Sequence, residues 1–129
     1  MARTPDQLTP DEHRFLQDLH LASLSTIRPD GSPHVTAMAF GFDPSDSMVR
    51  MITRAGAAKV RNIDNDGRVV VTQIEGARWL SLEGHAVVRR DKEGIAAAVA
   101  AYEARYRPAQ DRPDRVGIEF EVTRVIGSA

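Results

Sequence analysis

Residues 68–90 read "RVVVTQIEGARWLSLEGHAVVRR", and this stretch decides the fold. "RVVVTQI" is short and rich in β-branched residues, "EGA" is a tight turn, and "RWLSLEGHAVVRR" alternates with a period of two. Along the second run Leu80, Leu82, Gly84, Ala86 and Val88 share one face, and Trp79, Ser81, Glu83 and His85 share the other. Strands joined by so short a turn are antiparallel, because a parallel pair needs a long crossover.

The same grammar extends on both sides. Upstream, "LASLSTIR" and "HVTAMAFGFD" flank "RPDGSP", whose Pro-Asp-Gly core is a turn signal, so residues 21–43 are expected to form another hairpin. "PSDS" turns the chain into a third strand, "MVRMITR". "AAKVRNIDND" suits about two turns of helix, with Val60 and Ile63 inward, before Asp66-Gly67 ends it. Nearer the N-terminus "LTPDEHRFLQDLH" reads as a short helix. Thr9 is its N-cap, Pro10 its first residue and Glu12 the return arm of a capping box, with Phe15, Leu16 and Leu19 as the apolar stripe.

Downstream, Asp91 caps "KEGIAAAVAAYEARYR", in which Ile95, Val99, Tyr102 and Tyr106 follow helical spacing and Pro108 is the stop. "RVGIEFEVTRVIG" is the last strand, with Val116, Ile118, Phe120 and Val122 inward and Glu119, Glu121 and Thr123 outward. The order α-β-β-β-α-β-β-α-β is mainly β, of α+β type. Its hairpin connections predict one domain over residues 1–129, a closed or nearly closed barrel of about six antiparallel strands with short flanking helices.

Composition excludes several chemistries. The chain has no cysteine, so thiolate catalysis, disulfides, Fe–S clusters and most structural zinc sites are out. A net charge of −1 argues against a protein whose main task is gripping nucleic acid. No apolar leader and no membrane-spanning run is present, which makes the cytoplasm the expected compartment. A domain of 129 residues buries a limited share of its surface, and a homodimer would cover more.

Motifs of hydrolases and nucleotide binders are absent: there is no GxSxG elbow, no P-loop and no GxGxxG after a strand. His13, His20, His34 and His85 show no metal-ligand spacing, and no metal site is expected. His13 and His20 read as surface residues, and Glu83 with His85 as a cross-strand arrangement.

The stretch "TRAGAAKVRN", residues 53–62, is more informative. Arg54 ends a strand, the Ala-Gly-Ala-Ala segment lets a ligand approach the backbone, and the helix that follows aims N–H groups at the gap. Lys59 in the first helical turn is unfavourable for the helix alone and sensible beside a bound anion. A solvated loop with ordinary surface charge is the competing reading, and Arg61 fits plain surface. Two or three charged contacts supply about 5 kcal/mol, near millimolar affinity. A useful ligand would therefore add an apolar body in a pocket. Trp79, the single tryptophan, is a candidate wall or an interface residue. Ser32, Pro33 and His34 read by themselves as turn chemistry.

"LASLSTIRPDGSPHVTAM", "AAKVRNI", "DGRVVVTQIEGARWLSLEGHAVV" and "RVGIEFEVTRVIG" resemble the pyridoxamine 5′-phosphate oxidase-like split β-barrel family. "AKVRN" and "ARWLSLEG" are similar to its coenzyme F420-dependent branch. The resemblance spans roughly residues 10–128 and implies an FMN-binding type of split barrel, a homodimer with the cofactor at the interface, and a small-molecule substrate. It implies that Lys59, Thr53 and Arg54 hold the cofactor phosphate, that Ala58 and Asn62 also bind the cofactor, and that the ring lies near His34 and Thr36. Gln73, Arg78 and Trp79 would close the pocket from the partner subunit.

The implied activity is hydride transfer from reduced F420 to a conjugated organic acceptor such as a tetrapyrrole, with no catalytic side chain required. FMN dependence, a deazaflavin carrier and haem binding are the alternatives. The arginine-containing C-terminal segment that handles substrate in pyridoxamine phosphate oxidases has no counterpart in the closing "VIGSA", so oxidation of pyridoxamine phosphate is not expected.

Overall fold

A computed structural model describes residues 2–129. Among them the order is a 3₁₀ turn Pro5–Gln7, α1 Pro10–Gln17, β1 Ala22–Ile27, β2 Pro33–Met38, β3 Gly41–Asp43, β4 Met48–Arg54, α2 Ala58–Asn65 and β5 Arg68–Glu75. Then follow β6 Arg78–His85, β7 Val87–Arg89, α3 Lys92–Arg105, β8 Arg115–Glu121 and β9 Arg124–Ser128. One sheet has the order β2-β1-β5-β6-β9 and the other β3-β4-β8-β7. Every pairing is antiparallel. The two sheets stay separate rather than closing into one ring, which is the split barrel the resemblance implied. No helix among the described residues is long and apolar enough to cross a membrane.

Three of the six expected strands change sheets midway. The run expected over residues 34–43 leaves the first sheet after Met38 and resumes as β3 in the second, so the hairpin closes at β2 and not at residue 43. The run over 78–90 breaks at Ala86, and the run over 115–127 at Val122 and Thr123. Close approach forces the bends. A Cβ on Gly84 would stand 2.4 Å from the Glu121 carbonyl oxygen and 2.6 Å from the Phe120 ring, so only glycine lets β6 cross β8 there. The bends let alternate residues of both sheets face one core, with Leu24, Phe40, Met51, Val71, Leu80, Leu82, Ile118 and Phe120 among its buried members.

The helices differ from expectation at their edges. In α1, Thr9 Oγ1 accepts from the Glu12 N–H at 3.1 Å, and Glu12 Oε1 accepts from the Thr9 N–H at 2.9 Å, as the capping box required. The helix stops at Gln17, so Leu19 falls outside its stripe and is 73% exposed. In α3 the buried residues are Gly94 and Ala98, whereas Ile95, Val99 and Tyr102 are only half-buried. The reason is the floor beneath: a Cβ on Gly117 of β8 would meet Ala98 Cβ at 3.0 Å. Small residues on both sides seat the helix close to the sheet.

Candidate functional site

The β1–β2 register sets out one wall. Thr26 lies opposite His34, Leu24 opposite Thr36 and Ala22 opposite Met38. Directly opposed residues share a face, and Leu24 and Thr26 are buried, so His34, Thr36 and Met38 point to the inner side of the first sheet. His34 Nδ1 and Thr36 Oγ1 are buried there with no hydrogen-bond partner in the chain. A buried polar atom left unpaired costs about 1–3 kcal/mol.

Helix α2 forms the second wall. Ala57 occupies its N-cap, and no side chain caps it. Val60 and Ile63 are buried as expected, and Val60 packs with Ala57 and Val116. Asn62 donates from Nδ2 to Thr26 Oγ1 at 3.0 Å, which docks α2 on β1. Lys59 is half-buried and faces β2, where its ammonium donates to Met38 Sδ at 3.2 Å. Burial, and then the Arg54 charge, push its pKa below the ordinary lysine value. Arg61 instead reaches back from Nη1 to the Gly56 carbonyl at 2.9 Å and shapes the loop.

The third part was not legible as a site. Arg54 lies directly opposite Arg115 on β8, a like-charge pair that is unfavourable without an anion between its members. These two residues, Arg112, Asp114, Ile52 and Thr53 line a cavity of about 380 Å³. An adjoining cavity of about 480 Å³ shares Ile52, Arg112 and Arg115 and adds Arg107. The signal is "RPAQDRPDR", residues 107–115, where two aspartates mask three arginines in any count of charge.

Other expected residues lie elsewhere. Gln73 is fully buried, and its amide is engaged inside the chain. Nε2 donates to the Phe15 carbonyl at 2.7 Å, and Oε1 accepts from Arg105 at 2.6 Å. Arg78 lies over the Phe15 ring at 4.6 Å and 3.9 Å from Glu75. Trp79 is on the outer face of the first sheet, because its neighbour Leu80 points inward, and it lies opposite Ile74. Within one chain, then, Trp79 and the His34–Thr36 row are on opposite faces.

Glu83 is opposite Arg124 and His85 opposite Arg68, a cross-strand arrangement as expected. The metal-capable grouping among the described residues is Asp18, His20 and Glu75. It is partly taken up by contact between His20 Nε2 and the Glu75 carboxylate, with Arg78 beside it.

The arrangement can hold an anion at the start of α2 and a planar polar body along β2, with further anionic groups over the arginines. Comparison with known proteins agrees in kind. Over its whole length the chain is 46% identical to the F420H(2)-dependent biliverdin reductase of Mycobacterium tuberculosis (strain CDC 1551 / Oshkosh), spanning 94% of that protein. Conserved hypothetical protein Rv2991 from Mycobacterium tuberculosis superposes with a TM-score of 0.77 at 26% identity, covering 94% of this chain and 84% of its own. An F420 reductase superposes with a TM-score of 0.72 at 28% identity, covering 88% and 94% respectively. Residues 8–128 match the family described as pyridoxamine 5′-phosphate oxidase, and with the two-sheet topology this establishes that the chain belongs to that family.

Proposed function

We propose that the protein is an F420H2-dependent reductase that binds the deazaflavin between two copies of the chain and reduces a conjugated acceptor of the biliverdin type. The observation that carries this reading is the inner face of β2. His34 Nδ1 and Thr36 Oγ1 lack partners, and Lys59 beside them lacks an anion. Those groups fit a phosphorylated planar cofactor. A phosphate takes Lys59 and the uncapped N–H groups at Ala58, with Thr53 and Arg54 alongside. Drawing Lys59 from Met38 toward that phosphate opens the β2 face to the polar edge of the ring. Asn62 acts one step back by keeping α2 on β1.

F420 is favoured over FMN by the arginines. Arg54, Arg107, Arg112 and Arg115 continue from the phosphate position into two cavities, more cation than a flavin phosphate needs and suited to the carboxylates of a glutamate tail. The curated relative at 46% identity supports the same choice and the same acceptor class.

When bound, reduced deazaflavin supplies the hydride. The chain's own residues bind, orient and exclude water. Trp79 and Arg78 contribute from the partner copy, since in their own chain the sheet separates Trp79 from the His34 row. Gln73 positions rather than binds, joining α1 to Arg105 behind the sheet.

The test is a fluorescence titration with F420 and with FMN on the wild type and on Lys59→Ala, followed by oxidation of F420H2 with biliverdin. Micromolar or tighter F420 binding that weakens about tenfold or more in the variant, with acceptor-dependent turnover, is expected. FMN binding alone would move the protein to flavin chemistry, and F420 binding without turnover would make it a carrier.

A further inference from the structure

A further cavity lies away from that site. It has a volume of about 780 Å³ and sits where α3 crosses the outer face of the second sheet, between β3 and the end of α1. Its shelf is made by Ala97, Ala100 and Ala104, which α3 turns to solvent because Gly94 and Ala98 make the seat on β8. Phe42 closes one side of it, and no charged side chain interrupts the shelf.

Two guanidiniums border this apolar surface. Arg50, on the α3-facing side of β4, donates from Nη2 to Asp46 at 3.0 Å, and its buried Nε has no partner. A carboxylate that engages arginine side-on takes Nε and Nη2 together, so Asp46 uses half of the fork. Arg105 meets only neutral acceptors, namely the carbonyls of Asp18 and Phe40 and the Gln73 amide. Asp43 also lines the cavity, but its carboxylate caps its own turn through the Ser45 N–H at 2.9 Å and Oγ at 2.7 Å. Asp43 and Asp46 balance the charge of the two guanidiniums, and Glu119 lies opposite Arg50 on β8, so what the rim leaves unsatisfied is one N–H, Arg50 Nε, beside an apolar floor.

We propose that this cavity binds an apolar molecule ending in a carboxylate, with the carboxylate on the Arg50 fork in place of Asp46 and the apolar body along the alanine shelf and Phe42. The site is separate from the His34–Lys59 wall, so the two can fail independently.

Displacement of anilinonaphthalene sulfonate from the full chain by dodecanoate, with dodecanol as the uncharged control, tests it. Dodecanoate is expected to displace the dye, and Arg50→Met to weaken it about tenfold or more while leaving dodecanol within about twofold. Ala100→Trp, a substitution at an exposed helix position, fills the shelf and is expected to abolish displacement by both. F420 affinity and the thermal midpoint should stay unchanged in each variant. The proposal is overturned if dodecanoate fails to displace the dye, if it is no better than dodecanol, or if either variant binds it as the wild type does.

Discussion

Glu12 is 1% exposed and ionised, because its surroundings compensate the charge. Arg3 makes a bidentate pair with it at 2.7 Å on both oxygens, and the Thr9 and Ala129 N–H groups donate to it. The Arg3 contact, the largest cause, brings its pKa down to about 2 against the opposing effect of burial. A carboxylate with a folded-state pKa below its unfolded value stabilises the protein above the unfolded pKa and stops doing so as pH falls through the folded one. The contribution, about 3 kcal/mol, is therefore present at neutral pH and lost between about pH 4.5 and 2. Glu12→Gln should lose about that much in urea melts at pH 7, and the gap to wild type should narrow as the melts are repeated toward pH 2.

α3 shows how an element is fixed by what it lacks. Its seat is a contact of alanine and glycine against glycine, with no room for a longer side chain. Ala98→Leu should destabilise the protein by about 1–3 kcal/mol in chemical denaturation, through overpacking against Gly117. Elements of this kind divide what the sequence reveals from what it hides. The cap of α1 was legible because Thr9, Pro10 and Glu12 settle it within four residues. The sheet changes at Ala86 and at Val122 and Thr123 were not, since alternation runs straight through them and the cause is a contact of Gly84 on β6 with Phe120 and Glu121 on β8, residues more than thirty positions apart in sequence. The α3 stripe was misread for the same reason: helical spacing marks the largest apolar side chains, while the buried face was chosen by a distant glycine. The helix start at Lys59 was legible as local chemistry, whereas the packing of Gln73 was not. Its place on β5 says nothing of Phe15 and Arg105, which hold it inside.

For the whole molecule, the outer face of the first sheet carries Val35 at 59% exposure, Ile74 at 65% and Trp79 at 40%. Isolated exposed apolar residues are ordinary, but several on one sheet face mark a contact surface. On the proposed arrangement, in which Trp79 contributes from a second copy, this face is where we expect that copy to pack. Its single tryptophan makes that measurable. On dilution through the dissociation range in sedimentation velocity, Trp79 emission should shift to the red as the dimer separates. Ile74→Lys should give the red-shifted monomer at all concentrations while keeping the β spectrum, and should lose F420 affinity with the interface.

The bridge between Arg3 and Val125, with N–H···O contacts of 2.8 and 2.7 Å, joins the two ends of the chain at the edge of the first sheet. β9 pairs with β6, and Gly127 accepts from Arg3 as well. During synthesis the N-terminal residues therefore wait for the last ones. Arg3 and Glu12 leave the ribosome early, with nothing yet made for Arg3 to bridge and no Ala129 N–H to complete the carboxylate's shell. The molecule cannot close strand by strand as it emerges. The edge of the first sheet is complete only after residues 124–128 have been translated and released.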